Sequence, residues 1–384
     1  MKQLLFYSFI FFHLVLFLGN TTCKAQNVDI PDVNFKAVLV GNTIINTNND
    51  GEIQMSEAAA FNGEIYAGNI NISDMTGIES FVNITQLHCN RNQITHLDIH
   101  INTALEFLDC SDNKLTTLDV SANIKLFGLY CSSNQLTALD VSDNINFDRL
   151  ECNWNQIKVL DVSFNPLLSS LDCSNNQIKN LNVSDNIALV LLYCSFNQLT
   201  ALDVSANADL KILDCNYNQI TILDVSSCKS MDHLNCEHNN LKILNLKNGS
   251  TSTLRWWYFR ATNNPNLNCI QVNNAADAAR IGYDQIDQRS RFSEWCPGLE
   301  TMNNSLAQVA ISIIPNPTNG IFTITGLPSE NLIIELYNMA GKKVYSEICQ
   351  QKSHRVDISG CTKGIYVVNM FNGKKTFTDK IEIK

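Results

Sequence analysis

The apolar positions of the chain fall into a frame that recurs every 21 residues, marked by cysteines at 89, 110, 131, 152, 173, 194, 215 and 236. Each unit reads L-x-x-L-x-C-x-x-N-x-L-x-x-L-D-V-S-x-N. It holds two short pieces of alternating polarity, such as Leu108-x-Cys110 and Leu118-x-Val120. Period-two alternation marks strands with one buried face, so Leu, Cys and Val point inward. A unit this short cannot bury its own apolar side, whereas stacked copies bury a continuous core. The pattern predicts a solenoid.

Asparagine provides the second periodic signal. Asn92, Asn113, Asn134, Asn155, Asn176, Asn197, Asn218 and Asn239 form one unbroken column. Asn102, Asn123, Asn144, Asn165, Asn186 and Asn207 form another, which Cys228 continues. Buried turns leave backbone groups unpaired at a cost of about 1–3 kcal/mol each. An amide carries donors and an acceptor, so a stack of amides satisfies successive turns.

The L-x-x-L-x-L-x-x-N-x-L core, with Cys at one aliphatic position, resembles the leucine-rich repeat family over residues 78–272. It is similar to the short repeats of internalin-like bacterial surface proteins. The family usually carries a helix on its convex side. Twenty-one residues with a second strand-like "LDVS" leave little room for one, so strands are expected on both faces. The fold class expected is mainly β.

The repeat cysteines sit beside Leu at inward positions without a C-x-x-C pair, and read as small buried hydrophobes rather than metal or disulfide ligands. Cys269 and Cys296 lie off the repeat step and bracket a helix-like stretch, "VNNAADAARIGYDQID". A solenoid needs a cap over its exposed end, and a disulfide suits an exported one, so residues 273–298 are expected to form a disulfide-closed C-terminal cap. Cys349 and Cys361 are a second, less supported pair.

Both ends carry further signals. The start, with Lys2, an apolar run from Leu4 to Gly19 and small Ala25, reads as a signal peptide over 1–25. A retained membrane helix and a lipoprotein at Cys23 are the alternatives; no other segment is long and apolar enough to span a bilayer. Residues 26–77 read as an N-terminal cap. Within it, "NTNNDGEIQMSE" resembles the calcium loop of EF-hands, with Asn46, Asn48, Asp50, the carbonyl of Glu52 and Glu57 as ligands. Asn where Asp is usual removes a charge, so a weakly held calcium ion is the one cofactor expected. The alternative is an Asn/Gly-rich loop before a short helix.

At the other end, a polar linker over 299–308 precedes residues 309–384, which carry P-N-P-x-x-G, L-Y-N-x-x-G-K-x-V, G-I-Y-x-V and a terminal K-I-x-x-K. These blocks resemble the C-terminal sorting domain of the bacterial type IX secretion system. The resemblance implies export through that machinery, to the outside or to the outer-membrane surface. Strands separated by Gly, Pro and Asn turns independently read as a small antiparallel β-sandwich.

Composition narrows the partners. A net charge of −10 gives no counterion release on a phosphate backbone, which argues against nucleic acid. No nucleophile elbow, phosphate loop or H-E-x-x-H occurs, and no catalytic residue is assigned. His96 and His100 read as surface histidines. An acidic column, Asp98, Asp119, Asp140, Asp161, Asp203 and Asp224 with Asn182 inserted, reads as solvated or hydrogen-bonded rather than as a hydrolase pair. Two outward columns vary freely: His88, Asp109, Tyr130, Glu151, Asp172, Tyr193, Asp214, Asn235, and Arg91, Asp112, Ser133, Trp154, Asn175, Phe196, Tyr217, His238. Rigid aromatics on a regular face suit recognition, so Tyr130, Trp154, Tyr193, Phe196 and Tyr217 are the expected contacts for a protein or glycan ligand. The function expected is that of a secreted or cell-surface binding or adhesion protein. A surface scaffold without a single ligand is the second reading, and a carboxylate-dependent hydrolase the third.

Overall fold

The computed structural model describes residues 26–249, 258–282, 285–296, 312–327, 332–338, 342–371 and 376–384. The expected signal peptide over 1–25 and linker over 299–308 lie outside the described residues.

Helices α1 (Val33–Gly41) and α2 (Met55–Ala60) open the described chain. Asp32 caps α1 through Oδ1, which accepts the N–H groups of Asn34 and Phe35, both at 3.0 Å. Its Oδ2 accepts the Ser73 N–H at 2.8 Å. One carboxylate therefore satisfies donors that every helix start leaves open and ties α1 to the first turn of the array.

The array builds one parallel sheet from β1 (Glu64–Tyr66), β2 (Gln86–His88), β3 (Phe107–Asp109), β4 (Gly128–Tyr130), β5 (Arg149–Glu151), β6 (Ser170–Asp172), β7 (Leu191–Tyr193), β8 (Ile212–Asp214), β10 (His233–Asn235) and β12 (Phe259–Arg260). Strands β9 (Ile222–Asp224), β11 (Ile243–Asn245), β13 (Cys269–Gln271) and β14 (Arg291–Ser293) form a second parallel sheet. Neighbours pair in register, as in Leu108 opposite Leu129 and Leu129 opposite Leu150. The central Leu of each strand from β2 to β8 and the Cys two residues on are fully buried. The sheets run past both expected limits of the array, since β1 lies within 26–77 and β14 within 273–298. Helix α3 (Ala275–Gly282) occupies the helix-like stretch between the last two strands.

Strands on both faces are realised only at the C-terminal end. In the earlier turns the L-D-V-S segments lie outside any strand, although Leu118, Val120 and their equivalents are buried. Alternation reports which side chains face the core; pairing also needs neighbouring backbones within hydrogen-bond reach. Here side-chain amides bridge the turns instead. Asn144 Nδ2 donates to Val120 O at 3.0 Å and Asn123 O at 2.9 Å, and Cys228 replaces the amide in this column with Sγ donating to Val204 O at 3.6 Å.

The other ladder is more fully bonded. Asn155 Nδ2 donates to Cys131 O and Cys152 O, while Oδ1 accepts the Leu136 N–H at 2.9 Å. The residue before each of these asparagines, from Arg91 to His238, has a left-handed backbone with φ between 49° and 55°. That conformation aims its N–H along the stack: Trp154 N donates to Ser174 O and Phe196 N to Asn216 O, both at 3.0 Å.

Residues 312–384 form an antiparallel unit with its own core. Strands β15 (Ser312–Ile314), β16 (Ile321–Thr325) and β19 (His354–Asp357) make one sheet. Strands β17 (Leu332–Asn338), β18 (Lys343–Cys349), β20 (Gly364–Phe371) and β21 (Thr376–Ile383) make the other. Phe322, Ile324, Ile334, Leu336, Val356 and Val368 meet between them.

Candidate recognition site

The aromatic positions picked out by sequence fall into two places. Trp154, Phe196 and Tyr217 occupy the left-handed turn column, 61%, 46% and 42% exposed. Phe196 and Tyr217 stack at 4.2 Å between ring centroids, and Tyr217 stacks on His238 at 4.0 Å. Ring spacing nearly equals strand spacing, so in-register turns turn a sequence column into a row of parallel rings. Tyr193 lies in the other column, on β7, and the structure does not join it to the Phe196–Tyr217 stack.

Tyr130 belongs to a separate cluster on the larger sheet. It meets Phe107 edge-on at 5.1 Å, Phe107 lies against His88 at 5.2 Å, and His88 stacks on Tyr66 at 4.6 Å. Gly128 makes room for this cluster, because a Cβ there would stand 2.7 Å from Phe107 Cδ2. Tyr66, Phe107 and the neighbouring Phe127 were not singled out by sequence. The readable signal was a third column, one residue before each inward Leu, where Phe107 and Gly128 are adjacent.

Between these clusters the face is acidic. Burial pushes the Glu151 carboxyl above the usual range, and the charges of Asp172 and Asp109 push it further. Asp172 is also raised, chiefly by burial.

The Asp98–Asp224 column has a local explanation. Asp119 Oδ1 accepts the Ser121 N–H at 2.9 Å, Asp140 that of Ser142 at 3.0 Å, and Asn182 that of Ser184 at 3.1 Å. Each closes an Asx turn, which needs a short side-chain oxygen and accepts Asn as readily as Asp. Among the described residues no group of three His, Cys, Asp or Glu is placed to hold a metal ion.

In the calcium-like loop, Glu57 Oε1 accepts Thr47 N and Oγ1, both at 2.8 Å, and Asn48 N at 3.2 Å. Its Oε2 accepts Gln54 N at 3.1 Å. Asp50 accepts from Gln54 and Asn48, while buried Asn46 donates to Val40 O at 3.2 Å. Glu52 pairs its carboxylate with Lys36 at 2.7 Å. As folded, the carboxylates of Asp50 and Glu57 accept from donors of the loop itself and that of Glu52 from Lys36, while Asn46 Oδ1 is buried without a hydrogen-bond partner among the described residues. A calcium ion would have to replace those bonds.

Cys269 and Cys296 form a disulfide with Cα atoms 5.8 Å apart, joining β13 to the segment after β14. Cys349 and Cys361 are free, as are the eight ladder cysteines.

In the C-terminal unit the sequence blocks interlock. Asn316 of P-N-P accepts the Glu382 N–H at 3.0 Å and donates to Lys380 O at 2.6 Å, pinning the terminal K-I-x-x-K strand. Gly320 of the same block has φ +104°, and a Cβ on it would meet Ser359 Cα at 2.5 Å. First and last blocks thus touch, which explains their joint presence.

Comparison with known proteins agrees. Residues 312–384 match the family described as Secretion system C-terminal sorting domain. No curated protein matches the chain. Among solved structures, the functional domain of InlJ from Listeria monocytogenes, described as including a cysteine ladder, is 23% identical, covering 94% of this chain and 100% of that one, TM-score 0.42. A leucine-rich repeat protein of Leptospira interrogans is 25% identical over 61% of this chain and 62% of that one, TM-score 0.47. An internalin, inlF, from Listeria monocytogenes is 15% identical over 72% of this chain and 99% of that one, and its TM-score of 0.50 marks a shared fold. The chain therefore has a leucine-rich repeat solenoid fold followed by a type IX sorting domain, and is exported to the cell surface or beyond.

Proposed function

We propose that the protein is a secreted or surface-displayed binding protein that recognises a protein or glycan ligand through its turn column, without catalysis. One observation carries this reading: bulky rings stand where the backbone disfavours them. A left-handed backbone costs an L-residue about 1–2 kcal/mol, least for Gly, Asn and Asp. Asn175 and Asn263 show the cheap solution in this same column. Trp154, Phe196 and Tyr217 keep the costly one, are substantially exposed, and fill no core. Strained residues that serve no packing mark functional positions, and rigid aromatics often dominate interface energy.

Substituting Phe196→Asn and Tyr217→Asn separates stability from function. Both variants are expected to melt no lower than the wild type yet lose capture of surface glycans or proteins. Retained capture with both rings gone would sink the proposal.

A further inference from the structure

From Trp154 to His238 the turn column has five positions, and four carry rings; Asn175 does not. Phe196, Tyr217 and His238 stack at 4.2 and 4.0 Å with interplanar angles of 11° and 13°. Side chains leaving this backbone conformation therefore project in parallel, about one strand spacing apart. Trp154 leaves from the same conformation, φ 54°, two turns before Phe196. Two strand spacings amount to about 9–10 Å. Within that interval stands Asn175, short and half-buried, its side chain making no hydrogen bond among the described residues.

We propose that the missing rung is a slot for one pyranose ring of a glycan. The indole of Trp154 and the ring of Phe196 pack against its two C–H faces, and the Asn175 amide bonds its hydroxyls. The proposal rests on the reading of the turn column as the recognition surface and names its ligand class. Two features favour a sugar over an aromatic side chain. A flat ring in contact at about 3.5 Å on each face spans about 7 Å and leaves the interval underfilled, whereas a puckered saturated ring is thicker. The Asn175 amide also brings two donors and an acceptor to the floor. Hydroxyls on a sugar rim answer all of them, and a phenyl edge answers none.

The test is calorimetry of the full chain against neutral oligosaccharides of glucose, galactose and N-acetylglucosamine, with the peptide Gly-Trp-Gly as the aromatic competitor. One oligosaccharide series is expected to bind, at least ten-fold more weakly after Trp154→Ala or Asn175→Tyr, which fills the slot. Asn175→Gly keeps the slot open on a backbone that tolerates φ above zero, and is expected to lose a few-fold only. Thermal melts confirm that each variant is folded. Binding of Gly-Trp-Gly in place of sugars, no saturable saccharide binding, or saccharide binding unaffected by Asn175→Tyr would each overturn the slot. If surface capture survives Asn175→Tyr but fails in the Phe196→Asn, Tyr217→Asn double variant, the slot is wrong and the wider recognition surface stands.

Discussion

Asp287 accepts the backbone N–H of Asn264 on Oδ2 at 2.7 Å, and that of Asn263 on Oδ1 at 2.9 Å. In the turns from Arg91 to Asn218 those two amides meet carbonyls of the next turn, as Tyr217 N meets Glu237 O at 3.0 Å and Asn218 N meets His238 O at 3.2 Å. One carboxylate stands in for the two carbonyls that the next turn supplies elsewhere in the stack.

Asp287→Ala is expected to destabilise the array by about 2 kcal/mol, since each lost charge-assisted bond leaves a donor open. Hydrogen exchange at Asn263 and Asn264 should speed up before any other ladder amide. Unchanged protection there would show that the carboxylate is not the cap.

Asn155 and Asn153 are neighbours with opposite roles. Asn155 is buried and bonds three backbone groups through Nδ2 and one through Oδ1, whereas Asn153 accepts from the Ser132 hydroxyl at the surface. Asn155→Ala should cost about 3 kcal/mol or more and Asn153→Ala less than about 1 kcal/mol. Equal thermal shifts would refute the ladder.

Glu151→Gln should raise stability at neutral pH. Burial, with Asp172 and Asp109 nearby, raises the Glu151 pKa in the fold, so the ionised form opposes folding. The wild type therefore gains stability as pH falls through that raised pKa, and the variant's advantage should vanish there. An advantage that persists in acid would point to a cause other than charge.

Glu57 runs the other way. Burial pushes its carboxyl up, but hydrogen bonds from Gln54, Thr47 and Asn48 together outweigh it and hold the pKa below the ordinary value. Its contribution is present above the unfolded pKa and lost as pH falls through the folded one. Glu57→Gln should lower the melting temperature at pH 7 with or without calcium. We expect weak calcium heat in the wild type and none in the variant; heat surviving the change would place the ion elsewhere.

The ladder thiols should be silent in the native protein. Burial drives every one of them up, Cys131 to about 12, so almost no thiolate exists at neutral pH. Of the free cysteines described, only Cys361 is not buried. A thiol reagent should therefore label one described cysteine quickly and the others only on unfolding. Rapid labelling of several would mean that the core opens.

Periodicity made the core readable. Leu108, Cys110 and Asn113 and their copies sit in the order the repeat implies, because each is fixed by the same local environment. Alternation over-reached on the convex side, since it marks burial of Leu118 and Val120 without saying whether their backbones pair. The split of Tyr193 from Phe196 was hidden for a related reason. Only Cys194 and Ser195 lie between them, but Tyr193 ends β7 while Phe196 takes the left-handed turn conformation, and their side chains go to different surfaces. Phe107 escaped because its environment depends on Gly128, one turn away, and no single repeat shows that.

The direction of the turn hydrogen bonds has a consequence for how such a chain changes over time. Each left-handed residue gives its N–H forward and each turn offers carbonyls backward, so every internal turn presents the same two edges. A duplicated or deleted 21-residue unit leaves Asp32 and Asp287 facing the same partners as before. Because backbone bonds and the ladder asparagines close each turn, the residue at its crest is free of structural duty beyond tolerating its φ. Length and surface can therefore diversify independently, by whole-unit recombination in one case and single substitutions in the other.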